Sequence, residues 1–149
     1  MPAPDLARVG EHLHGHLGWL AAIALVHPAV LLRRERRAHL SVALAVALAT
    51  LAGALGVSLY PAYRESVRHP LFVESPGVGY LFERKEHLAF GAILLAWVGA
   101  LSYTAAFGQT DAGSRDALRK AAHWSFVASA LLGVATALLG TIVASYRTF

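Results

Sequence analysis

The chain has 149 residues, 56% of them hydrophobic and 15% charged, with a formal net charge of +4, eight histidines and no cysteine. So apolar a composition is unusual for a soluble domain of this length. Without cysteine there are no disulfides, thiolate metal sites or covalent c-type haem attachment, so a metal would be held by His, carboxylate or carbonyl groups.

A helix needs about 20 residues to cross roughly 30 Å of hydrocarbon. Four stretches of that size or more hold no Asp, Glu, Lys or Arg: residues 13–32, 38–60, 87–107 and 121–146. They predict an all-α fold, an integral membrane up-down four-helix bundle forming a single domain over 1–149. The first stretch lacks a basic lead-in and carries three histidines near its start, so it reads as a retained helix and not a secretory signal.

The connections set the orientation, because Lys and Arg near helix ends favour the cytoplasm. The first is Arg33-Arg34-Glu35-Arg36-Arg37, and the third carries Arg115, Arg119 and Lys120 against Asp111 and Asp116. Both are expected inside a bacterial-type inner membrane, with the N- and C-termini outside. The second connection, 61–86, balances four basic against four acidic residues and contains Pro61, Pro70, Pro76, Gly77 and Gly79. It is expected to be a long external loop. Its apolar residues, among them Leu71, Phe72, Leu81 and Phe82, place it on the membrane surface or over the bundle mouth. Small residues such as Gly53, Gly56, Gly91, Gly99, Gly133 and Gly140 suit close helix approach in lipid, or make room for a flat ring.

Within this topology the histidines fall at two depths. His12, His14, His16, His69 and His87 lie toward the external side, and His27, His39 and His123 toward the cytoplasmic side. Ionisable groups at membrane depth are costly and point to function. His16 and His27 are eleven residues apart, within roughly 20° of three full turns and about 16 Å along the axis, so they share one face at two depths. Haem iron takes axial ligands from both sides of its ring, which makes His16 with His87 an outer pair. His123 with His27 or His39 makes an inner pair. Arg33, Arg34, Arg64 and Arg68, with their neighbours Arg36 and Arg37, are placed to neutralise propionates, and Trp97, at mid-helix, to stack on a cofactor.

This layout resembles the small transmembrane b-type cytochromes that form membrane subunits of some hydrogenases and formate dehydrogenases. The resemblance covers helix count, length and histidine placement. It implies one or two haem b groups, transmembrane electron transfer, a possible quinone, and protein partners in a redox complex, with His16, His87, His27 and His123 in the ligand positions.

Two other readings stand beside it. One is a cofactor-free accessory subunit of a larger membrane complex. The other is a metal site or transporter at the external face, built on Glu11, His12, His14, His16, Glu83, Glu86 and His87, since carboxylate with imidazole suits Zn, Fe or Mn. No aromatic-interleaved basic patch points to nucleic acid. No Gly-x-Ser-x-Gly, Walker or Rossmann fingerprint is present, so no catalytic residue is assigned and stand-alone enzyme chemistry is not indicated.

Overall fold

The computed structural model describes residues 6–146; the termini expected outside lie beyond the described residues. The described residues form five α-helices: α1 (Leu6–Arg33), α2 (His39–Tyr63), α3 (His69–Glu74), α4 (Pro76–Ala105) and α5 (Ala112–Ser145). A π turn at Arg64–Arg68 joins α2 to α3, a 3-10 turn at Ala106–Gly108 follows α4, and no strand occurs among the described residues. Four segments, built on α1, α2, α4 and α5, are long and apolar enough to cross a membrane. α1 packs on α2 and α5, and α4 packs on α2 and α5. The four long helices therefore form a ring with α1 diagonal to α4, the arrangement of an up-down-up-down bundle.

The helices outrun the charge-free stretches that predicted them. α1 begins at Leu6, α4 at Pro76 and α5 at Ala112. Charge does not end a helix: Lys, Arg and Glu are good helix formers, and their long stems carry the charged heads toward water from a helix end.

The long loop expected over 61–86 is the main correction. The segment is almost wholly helical, because Pro70 and Pro76 stand in the first turns of α3 and α4, where a missing N–H costs nothing. The sharp break is Ser75, at φ −149° and ψ 83°. Its carbonyl accepts from the N–H groups of Val78 and Gly79 at 2.9 and 3.1 Å, which starts α4. The segment folds over the bundle mouth: Val67, Leu71, Val78 and Phe82 pack together with Val143 of α5. The Arg68 guanidinium donates to the Glu83 carboxylate and lies 5.2 Å from the Phe72 ring centre. We call this the lid end, and the opposite end, where α1 meets α2 and α4 meets α5, the arginine end.

The half of the bundle toward the arginine end is closed. Leu25, Leu32, Val42, Val46, Tyr103 and Phe126 fill it. Phe126 presses against Gly99, where an added Cβ would stand 2.8 Å from the ring. Tyr103 accepts from the Ala38 N–H at 2.8 Å, satisfying a donor at the start of α2 that lacks a side-chain cap. Asp111 caps α5, accepting from the Ser114 N–H at 2.7 Å, and that bond holds its carboxyl below the usual carboxylate range.

Candidate functional site

Between the closed half and the lid lies a cavity of about 1100 Å³, bounded by all four long helices. It exists because the core-facing residues turn small at one level. α1 offers Ala21 and Ala22, α2 Ala49, Ala52, Gly53 and Gly56, α4 Ala89 and Ala92, and α5 Gly133, Ala137 and Gly140. The lining reaches two seams of the ring, Trp19 with Thr141 between α1 and α5 and Thr50 between α2 and α4. An indole hydrogen bond crosses each seam beside the cavity, Trp19 Nε1 to Thr141 Oγ1 and Trp97 Nε1 to Thr50 Oγ1, both at 3.2 Å.

The walls are mainly apolar, with few polar groups. His14 is half-buried, and its ring edge lies on Gly56, where an added Cβ would come within 2.9 Å of Cε1. Its Nδ1 is buried and makes no hydrogen bond of good geometry, although the Ala52 carbonyl lies near the ring. A buried polar atom in that state needs an explanation, a ligand being one. Lys85 stands on the opposite helix, α4, with Nζ 4.8 Å from the Phe82 ring centre and its stem beside Gly140. Arg8, Glu11, His12 and Glu86 add to the polar rim nearest the lid.

The other histidines are placed differently from the two-layer expectation. His16 and His27 do share a face, but it is the outward one, and both are exposed. His16 borders the α1–α5 side of the cavity, whereas His87 is not part of its lining. The pair His16 and His87 is therefore not brought together across one space. His87 Nδ1 donates to the Glu83 carbonyl at 2.8 Å. At the closed half, His27 Nδ1 shares a hydrogen bond with Ser41 Oγ at 2.8 Å, and His123 Nδ1 donates to the Ala29 carbonyl at 3.0 Å. His39 stacks on Phe107 with ring centres 4.8 Å apart. Phe126 and Tyr103 are both buried in this half.

Arg68 is spent on Glu83 in the lid. Arg64 is exposed beside it, and Arg33 and Arg34 are exposed at the far end. None of these arginines lines the cavity, and neither does Trp97, which is 46% exposed. No group of three or more His, Asp or Glu residues converges on one point among the described residues, so the external His and Glu residues do not form a ready metal cluster.

Sequence reasoning placed His14 in the external metal site and not among the haem ligands, and gave Lys85 no role beyond the charge of the second connection. A signal for His14 was present: it lies seven residues before Ala21 and eleven before Leu25, both buried, the spacing of one helix face. Lys85 carried none, because its position depends on α4 starting before it. No family model, curated protein or solved structure matches the chain.

Proposed function

We propose that this chain is an integral membrane protein that carries one haem b in the cavity and serves electron transfer as a subunit of a redox complex. The observation that carries the reading is the buried Nδ1 of His14, without a hydrogen bond of good geometry, in the wall of a cavity of about 1100 Å³, a volume a little above the ordinary range of cofactor sites. His14 would hold the iron, and the Lys85 ammonium would pair with a propionate. Histidines reach the lining from α1 alone. That favours a single axial histidine, a known form of haem ligation, over the bis-histidine form. Bound there, haem would supply one-electron chemistry at membrane depth. The small residues of α2, α4 and α5 make room for the ring, and the lid keeps water from the mouth.

Orientation follows from charge. The arginine end carries seven basic against three acidic residues and the lid end five against five among the described residues. The arginine end is the cytoplasmic one, and the lid faces outward.

The test is a reduced-minus-oxidised spectrum of detergent-purified protein expressed with haem supplied, with haem per chain measured as the pyridine haemochrome. One haem per chain is expected, lost in His14→Ala and kept in His16→Ala, His87→Ala and His123→Ala. Colourless wild-type protein, or haem retained by His14→Ala, overturns the assignment.

A second reading rests on the seams and Lys85: a lipid-soluble quinone, entering sideways, with a carbonyl oxygen accepting from the ammonium. Haem-free protein that co-extracts with a quinone, and loses it in Lys85→Leu, supports that reading instead.

A further inference from the structure

We infer that the arginine end holds a second, separate site, for the phosphate of an anionic phospholipid headgroup. It rests on the four long helices being membrane spans and does not depend on haem. A pocket of about 430 Å³ opens there, lined by Tyr103, Ala106, Phe107, Gln109, Arg115 and Arg119.

Three observations point to its ligand. First, the formal surplus of four positive charges sits wholly at this end, since acids and bases balance at the other. Second, among the described residues none of Arg33, Arg34, Arg36, Arg37, Arg115 and Arg119 forms an ion pair. Arg115 and Arg119 are four residues apart on α5, which puts both on one face. Arg115 uses Nη2 on the carbonyls of Gln109 and Thr110, and Arg119 uses Nη2 on the Glu35 carbonyl. Those bonds anchor each guanidinium by one nitrogen and leave other donors of its five-donor fork for an oxyanion. Third, part of the wall facing them is apolar. Phe107 is 59% exposed beside Ala106 in the 3-10 turn that follows α4, where a spanning helix meets the headgroups. Paired guanidinium groups above an exposed aromatic match a ligand with a phosphodiester at one end and an acyl chain at the other. A free phosphate would use only the charged half.

The experiment titrates the detergent-purified full chain with phosphatidylglycerol, with phosphatidylcholine of the same acyl chains, and with inorganic phosphate, reading bound lipid by native mass spectrometry and the shift in unfolding temperature. Phosphatidylglycerol is expected to bind and phosphatidylcholine not. At about one surface increment per arginine, R115Q/R119Q should weaken phosphatidylglycerol roughly thirtyfold. R84Q, at the other end, should leave it unchanged. R115K/R119K keeps the charge and should hold affinity above the glutamine variant, which separates loss of the site from loss of the fold. Equal binding of phosphatidylcholine, or unchanged phosphatidylglycerol binding in R115Q/R119Q, overturns the proposal. Inorganic phosphate reproducing the shift at equal concentration overturns the lipid as its source. Recovery of the chain in the soluble fraction without detergent would instead sink the membrane reading beneath it.

Discussion

Replacing His14 by leucine sets stability against ligand binding at one position. The imidazole rests on Gly56 with Nδ1 buried and without a hydrogen bond of good geometry. A buried polar group without a partner costs about 1–3 kcal/mol in desolvation, and leucine removes that cost while keeping most of the contact with α2. Because the residue is only half-buried, the lower part of the range applies, and ligand-free His14→Leu should be more stable than the wild type by about 1 kcal/mol. The same change should take haem from one per chain to none. Stability is read by far-UV circular dichroism during SDS titration of haem-depleted protein, and haem by the pyridine haemochrome. If ligand-free His14→Leu unfolds more readily than the wild type, the imidazole is already satisfied in the fold. The reasoning that makes it a ligand then fails, whatever its effect on haem.

Phe126 is fully buried against Gly99 in the closed half, so Phe126→Ala should cost about 3–5 kcal/mol, read by the same titration. Glu35 holds φ at +53°, a left-handed conformation worth roughly 1–2 kcal/mol of strain in a residue with a Cβ. Glu35→Gly should raise stability despite the extra freedom glycine has when unfolded; a loss would mean the turn holds that residue by its side chain. The cap at Asp111 has a depressed carboxyl. Its stabilising effect is therefore present above the ordinary carboxylate range and lost as pH falls through the lower folded value. Amide protection in the first turn of α5, taken against the intrinsic exchange rate at each pH, should fall in that acid window, and at neutral pH in Asp111→Ala but far less in Asp111→Asn.

Helix number and ring order were legible because four apolar stretches separated by charge admit few other folds. Helix ends were less so: the chain keeps its helical path through Glu83, Arg84, Lys85 and Glu86, Pro70 and Pro76 begin helices, and Pro61 lies within α2. The site was hardest. α1 is apolar on most sides, so the face that packs and the face that points outward look alike in sequence. The relation between His16 and His27 was geometrically right, but nothing in it distinguished outward from inward. The small residues read as close-packing positions do two jobs, as with Gly99 under Phe126 in the closed half and Gly140 bordering open space.

The hollow is not a sealed, empty void. At about 24 cal/mol per Å³, an enclosed dry cavity of about 1100 Å³ would cost on the order of 25 kcal/mol, more than the roughly 5–15 kcal/mol by which a domain is stable. The space is open at its seams, so cofactor, quinone, lipid chain or water can fill it and that cost is not incurred. Gly140→Leu addresses the occupant directly. An added Cβ there meets only the Lys85 stem, at an ordinary 3.6 Å, so the new side chain extends into free space. Exchanging helical glycine for leucine is worth about 0.8 kcal/mol in propensity alone, and the ligand-free protein should gain at least that much. Haem per chain should fall because the ring loses its room. A variant that is stabilised yet binds haem as before would place the cofactor elsewhere. One that is destabilised would mean that the space beside Gly140 is already filled in the absence of haem.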